Sequence, residues 1–128
     1  MNRNDLDKRL RELGIYSDFY LRKELKPLAQ QLQEGEQLNC ILTGVHEANR
    51  KMLAVTDRRL LLLFTGALAA GELQVIRREG IESWDFEKRF LFSTLRIRLK
   101  DGTEYVLTNT QGSMKKLFEW AMQQPLPD

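Results

Sequence analysis

The sequence has few of the residues on which several kinds of site depend. Its single cysteine, Cys40, excludes an internal disulfide and a cysteine-rich zinc site. Its single histidine, His46, stands in no recognisable catalytic motif. There is no glycine-rich phosphate loop and no cluster of metal ligands in the sequence pattern. We therefore predict no catalytic residues, no metal site and no cofactor, and we expect Cys40 to be a small buried hydrophobe.

Long apolar runs are also missing. The longest strongly apolar stretch is 60–64, far below the roughly 20 residues that cross a bilayer. The charged N-terminus has no apolar segment of the signal-peptide kind. Together with the lone cysteine, this predicts a cytoplasmic protein, either free or held peripherally at the inner face of the membrane.

The sequence also lacks a large excess of charge of either sign. The chain has 20 basic and 18 acidic residues, a net charge of +2, which argues against a dedicated nucleic-acid-binding protein. The balance is uneven, because residues 1–36 sum to zero whereas residues 50–100 hold eleven basic and six acidic side chains. The 128 residues, 42% of them hydrophobic, fit one soluble domain.

The first 36 residues carry a helical pattern. One face of a first helix is formed by Leu6, Leu10 and Leu13. Asn4 is the predicted N-cap and Gly14 the predicted end. A second stripe follows, formed by Leu21, Leu25, Leu28 and Leu32. Pro27 interrupts it and predicts either a kink or a break followed by a new helix. The pattern favours helices packed on the rest of the protein, the alternative being a helix that detaches to dock on a partner.

From Gln37 the pattern changes to short β-rich runs. We predict strands at 37–45, 50–56, 59–65, 72–77, 82–87, 92–100 and 103–109. A loop of small residues, 66–71, separates the third strand from the fourth. A helix over 111–123 follows, with an apolar stripe of Met114, Leu117, Phe118, Ala121 and Met122. The pattern predicts an antiparallel barrel or sandwich covered by this helix.

The last hairpin can be placed in register from its alternation. A two-residue loop would mix polar and apolar side chains on one face, whereas a three-residue loop, 100–102, keeps them apart. The second register pairs Leu99 with Thr103, Ile97 with Tyr105 and Leu95 with Leu107. It requires Gly102 in the left-handed conformation and sets Arg98 opposite Glu104.

Short motifs stand at the strand boundaries. Gly35-Glu36 precedes the first strand, and Thr56, Arg59 and Leu60 form a Thr-x-x-Arg-Leu turn between the second and third. The segments VIRREGIESWDF and LRIRLKDGTEYVL supply the fourth to seventh strands. Over about residues 32–122 the chain resembles the bacterial pleckstrin-homology-like (PH-like) domains, particularly the YokE-type group.

This resemblance implies a fold and a division of the chain. The fold is of the α+β class, a PH-like seven-stranded antiparallel barrel or sandwich capped by a C-terminal helix. A helical N-terminal extension occupies 1–36, the PH-like domain 37–124 and a tail 125–128. The implied function is a non-catalytic binding or adaptor module, not an enzyme. Because such a fold has edge strands, which invite pairing with another chain, we expect protein–protein contacts and self-association.

The alternative function is binding to an anionic membrane surface through basic residues. The candidate contacts for an anion or lipid are Arg50, Lys51, Lys88, Arg89, Arg96 and Arg98. In such domains the resemblance implies a phosphoinositide site at the first loop, here 46–51. The negative charge of Glu47 disfavours an anionic ligand there. The competing interpretation is an ordinary solvated hairpin. Outward strand positions neutralised by acidic neighbours are the competing interpretation for the remaining basic residues.

Aromatic residues lie next to one of these basic pairs. Trp84, Phe86, Phe90 and Phe92 surround Lys88-Arg89, an arrangement that a base-stacking platform also has. Their alternate spacing is more typical of the core of a sheet. We therefore predict core positions for these aromatics and no nucleic-acid partner.

Overall fold

The computed structural model describes residues 1–64 and 72–127. Within them the helices are α1 (Arg3–Glu12), α2 (Tyr16–Phe19), α3 (Leu25–Gln31) and α4 (Lys115–Gln123). The strands are β1 (Leu38–His46), β2 (Asn49–Thr56), β3 (Arg59–Phe64), β4 (Glu72–Arg77), β5 (Ile81–Glu87), β6 (Ser93–Leu99) and β7 (Glu104–Thr110). The predicted order of seven antiparallel strands between N-terminal helices and a C-terminal helix is confirmed. The predicted loop 66–71 and the predicted end of the third strand at Thr65 lie outside the described residues.

The strands form one open antiparallel sheet in the order β4-β3-β2-β1-β7-β6-β5. The two halves of the sheet join where Val45 of β1 lies opposite Thr108 of β7. A Cβ atom on the neighbouring Gly44 would lie 2.9 Å from the Leu107 Cβ and 2.8 Å from the Thr110 Cγ2. Only a residue without a side chain allows β1 and β7 to approach this closely. The sheet therefore folds over a shared interior and leaves β4 and β5 as its edges.

The central strands are covered on both faces. Residues 52–56 of β2 and 60–63 of β3 are buried at every position, which is typical of strands between two layers. The face that carries Gly44 turns toward Leu107 on β7. On the opposite face, Arg50 borders a groove formed with residues 21–24 of the N-terminal segment.

The N-terminal helices pack against the sheet within the same chain. The buried leucines of α1 and α3 belong to the same hydrophobic cluster as the strands. The Arg9 Nε donates to the Leu38 carbonyl oxygen at 2.7 Å, which ties α1 to the start of β1. The structure thus has the packed arrangement that the leucine pattern favours.

Details of these helices differ from the prediction. The N-cap is Asn2, whose Oδ1 accepts from the Asp5 amide at 2.8 Å, so the predicted cap at Asn4 is wrong. Leu21 is 78% exposed because it lies in the turn between α2 and α3, so its place in the predicted stripe is also wrong. Pro27 lies in the first turn of α3, where a missing amide hydrogen costs little, and the chain therefore breaks rather than kinks. The predicted end at Gly14 is confirmed by its φ of 76°.

The C-terminal helix covers the interior of the folded sheet. Phe118 is fully buried and meets Trp84 of β5 edge-to-face at 5.2 Å between ring centroids. The Arg78 guanidinium donates to the carbonyl oxygens of Met122 and Gln124 at 2.8 and 2.7 Å. These bonds satisfy carbonyl groups that a helix end leaves free, so the β4–β5 connection holds the end of α4 in place.

The predicted register of the β6–β7 hairpin is confirmed. Ile97 lies opposite Tyr105, and Leu95 opposite Leu107. The Leu99 amide donates to the Thr103 carbonyl oxygen at 2.8 Å, and Gly102 has a φ of 92°. The apolar alternation therefore placed this hairpin correctly.

Candidate interaction surfaces

The motifs at the strand boundaries meet in one buried cluster. The Glu36 carboxylate, whose side chain has no exposed surface, accepts from the Arg59 Nε at 2.9 Å and the Arg59 Nη2 at 3.0 Å. It also accepts from the Thr56 hydroxyl at 2.7 Å and the Gln33 amide at 3.0 Å. Arg59 in turn donates to the Gln31 carbonyl oxygen at 2.8 Å. The cluster therefore fastens the end of α3 to the β2–β3 turn.

The ionisation of Glu36 reflects these contacts. Burial opposes the charged form, but hydrogen bonds from Arg59, the Gln33 amide and the Thr56 hydroxyl favour it, as does the charge of Arg59. The balance holds the pKa of Glu36 below its ordinary value of 4.5. All the hydrogen-bonding capacity that the Glu36 carboxylate uses is therefore directed to groups of the protein itself.

The β1–β2 hairpin does not gather its cations on one site. The Arg50 guanidinium donates to the Thr43 hydroxyl at 3.1 Å and to the Asn109 carbonyl oxygen at 3.4 Å. Lys51 is buried. Adjacent residues of a strand point to opposite faces, so Arg50 and Lys51 do not converge on a common anion. His46 lies beside them with its Nδ1 3.2 Å from the Val106 carbonyl oxygen.

The two arginines of β6 share one acidic neighbour. The Arg96 Nη1 lies 3.7 Å and the Arg98 Nη2 3.2 Å from the carboxylate of Glu104 on β7. Glu104 thus partly neutralises both arginines, as expected from the interpretation in which acidic neighbours offset the basic strand residues. The six predicted contacts therefore fall in three separate places: the first hairpin, the outer face of β6, and the β5–β6 loop, which holds Lys88 and Arg89.

The β5–β6 loop, residues 88–92, carries three consecutive exposed apolar side chains, including the most exposed one among the described residues. Phe90 is 99% exposed, Leu91 72% and Phe92 60%. The prediction of core positions holds for the buried Phe86 but is wrong for Phe90 and Phe92, because strand pairing stops at Glu87 opposite Thr94. A strand of period two buries alternate residues, so three consecutive apolar residues were the available signal.

The base of this loop is firmly packed although its tip projects. The Arg89 amide donates to the Oγ of the buried Ser93 at 3.3 Å, and the Arg89 side chain pairs with Glu87. A Cβ on Gly112, just before α4, would lie 2.8 Å from the Ser93 Oγ and 3.3 Å from the Lys88 Cγ. The loop base therefore rests against the start of α4, and the apolar tip points away from the body of the protein.

The order of strands and helices can be compared with known protein families. The sequence model of the bacterial PH domain family matches residues 32–121, which include all seven strands and most of α4. The chain belongs to the bacterial PH domain family. No similar sequence was found among curated proteins.

Solved structures agree with the family on the fold. One is the crystal structure of a DUF1696 family protein with a pleckstrin-homology domain from Shewanella loihica PV-4. It is 18% identical, with 94% of this chain and 98% of that chain covered and a TM-score of 0.50. Another is a pleckstrin homology domain from Shewanella amazonensis SB2B, 18% identical, with 74% and 82% covered and a TM-score of 0.51. At this identity the likeness concerns the fold alone.

The family assignment indicates the general kind of function. A PH-like fold is that of a binding module, and PH domains are in general non-catalytic and mediate contacts with proteins or lipids. None of the described helices of this PH domain is long and apolar enough to cross a membrane. The narrower YokE-type assignment stays a prediction.

The two edge strands of this PH domain differ in their protection. The outer strand β5 carries the acidic residues Glu82, Asp85 and Glu87 and has an irregularity between Ile81 and Ser83. Charges and bulges of this kind discourage edge pairing. The inner residues of β4, 73–76, are uncharged, and Leu73 and Val75 are exposed on one face. The β4 edge is therefore the open one.

Proposed function

We propose that this PH domain is a non-catalytic binding and adaptor module that acts through protein–protein contacts and self-associates at its β4 edge. The observation that carries the proposal is the uncharged β4 edge with exposed Leu73 and Val75. In the described part of the chain, β4 pairs with β3 on one side and has no strand on the other. Such an edge offers free backbone donors and acceptors to another strand.

The sequence of β4 suits pairing with a second copy of itself. Closed symmetric dimers use the same patch on both subunits. An antiparallel pairing centred on Gln74 sets Leu73 of each copy opposite Val75 of the other, with both pairs on the same face of the sheet. Four apolar side chains then cover one another, and such cross-strand pairs stabilise a sheet.

Sedimentation velocity and light scattering over a range of protein concentrations test this proposal. We expect a monomer–dimer equilibrium for the natural chain. The substitution Val75→Lys places a charge in the pairing face and is expected to give a monomer at every concentration. The matched control is Ser83→Lys, an exposed position on the protected β5 edge, which should leave the dimer intact.

Circular dichroism and thermal unfolding establish that both variants are folded. A natural chain that is monomeric at all concentrations contradicts self-association. A dimer that Val75→Lys leaves unchanged contradicts the β4 edge as its site.

Membrane binding through the strand residues has weaker support from the geometry. Arg96 and Arg98 share the charge of Glu104. Arg50 is engaged by Thr43, and Lys51 is buried. Exposed ion pairs of this kind leave little net charge for a lipid surface.

A further inference from the structure

We propose that the β5–β6 loop is a membrane-binding tip, which inserts Phe90, Leu91 and Phe92 into the interface of bilayers that contain anionic lipids. This activity is separate from self-association, because the loop and the β4 edge are different parts of the sheet. It also differs from binding through the strand residues, since the contacts come from a projecting loop.

The tip of the β5–β6 loop exposes apolar side chains to water. Three consecutive large apolar side chains stand 99%, 72% and 60% exposed. Contiguous exposed apolar surface marks an interaction site more often than single exposed residues do. The hydrogen bond from the Arg89 amide to Ser93 and the contact at Gly112 fix the base of the loop. The tip is therefore presented by a rigid support.

The base of the loop is positively charged. The contact at Gly112 places Lys88 of the loop base next to the start of α4, where Lys115 and Lys116 lie. Within the described residues these three lysines form no ion pair, whereas Arg89 pairs with Glu87. Anionic headgroups attract such basic segments.

The order of these features selects a bilayer over a protein partner. Apolar residues occupy the tip, and Lys88 and Arg89 follow directly behind them at the loop base. In a leaflet the apolar chains lie below the charged headgroups in the same order. The convex tip therefore matches a membrane surface in both shape and charge.

Co-sedimentation with vesicles provides the test. We compare vesicles of phosphatidylcholine alone with vesicles of phosphatidylcholine and phosphatidylserine. The natural chain is expected to bind the second kind, with affinity that falls as the salt concentration rises. The double substitution Phe90→Ser with Phe92→Ser is expected to weaken binding by about tenfold or more.

A matched control separates the tip from exposed apolar surface in general. Leu21, in the turn between α2 and α3, is 78% exposed. The substitution Leu21→Ser removes a comparable leucine and should leave binding unchanged. Insertion itself is read from Phe90→Trp, whose fluorescence should shift to shorter wavelength with phosphatidylserine vesicles and be quenched by brominated lipid, after subtraction of the natural chain's signal.

Three outcomes of the vesicle experiments overturn the proposal. They are absence of binding to phosphatidylserine vesicles at low salt, equal binding to phosphatidylcholine alone, and binding that the double substitution leaves intact. A change in oligomeric state caused by the loop variant without lipid would instead make the loop a contact between copies, and would also overturn it. Because Val75→Lys is tested without lipid, failure at the tip and failure at the β4 edge are distinguishable.

Discussion

The substitution Glu36→Gln tests the buried cluster that joins α3 to the β2–β3 turn. Glutamine has nearly the same shape as glutamate but replaces one oxygen by an NH2 group. Each oxygen of Glu36 accepts two hydrogen bonds, so the NH2 group would face two donors instead of accepting from them. The Arg59 guanidinium also loses its counter-charge.

The loss of unfolding free energy can be estimated from the burial of the Glu36–Arg59 ion pair. Removing one partner of a buried ion pair costs about 3–5 kcal/mol. The Arg59 side chain keeps 17% exposure to water and its bond to the Gln31 carbonyl oxygen, so we expect the lower end, about 3 kcal/mol. With a urea m-value of about 1.5 kcal/mol/M, the unfolding midpoint should fall by about 2 M. Fluorescence of Trp84 and Trp120 reports the transition.

The effect should depend on pH. The pKa of Glu36 is held below 4.5 in the folded state. The charge of Glu36 therefore stabilises the fold fully above its unfolded pKa and progressively less as pH falls through the lower folded pKa. The difference in stability between the natural chain and Glu36→Gln should be constant near neutral pH and shrink on acidification below about 4.5.

The control for this experiment is Glu34→Gln. Glu34 is exposed two residues away, so the same chemical change should alter stability by less than about 0.5 kcal/mol. If Glu36→Gln is as stable as Glu34→Gln, the Glu36–Arg59 ion pair does not contribute to stability, which contradicts the prediction. A loss that does not diminish at acid pH would assign the effect to packing rather than to charge.

Two further predictions concern the interior. Gly44→Ala would bring a Cβ within 2.9 Å of Leu107 and 2.8 Å of Thr110, and should lower the free energy of unfolding in urea by about 1–3 kcal/mol. The control Gly80→Ala has open space around it and should cost less. Equal losses of stability would show that β1 and β7 can move apart to accept the methyl group. Burial raises the pKa of the Cys40 thiol to about 12, so a thiol reagent should label it only after denaturation, and rapid native labelling would contradict its burial.

The sequence predicted correctly those parts of the fold that depend on residues within a single helix or a single hairpin. The register around Ile97 and Tyr105 followed from alternation, since a shift by one residue would turn the apolar face outward. The stripe of α4 was equally local, and Phe118 lies buried as predicted. By contrast, the error at Leu21 arose because four leucines at helical spacing concealed a turn between two short helices.

The candidate surfaces were less predictable because they depend on residues far apart in sequence. The basic pairs were visible, but their separation into three places follows from the register of β6 with β7 and from the contact at Gly112. The exposure of Phe90 was missed because strand spacing was extended across a loop. The unprotected β4 edge becomes apparent only once the strand order is known.

The packing of the N-terminal helices bears on how other family members are interpreted. The match to the bacterial PH domain family begins at residue 32, yet Leu6 and Leu10 lie in the same buried cluster as β2 and β3. One face of the central sheet carries Met52, Ala54, Leu61 and Leu63, all buried. A homologue without such helices would expose this face to water, so it must carry polar residues there or cover it with another chain. The residue types at these four positions therefore distinguish relatives that share the helical layer from relatives that lack it.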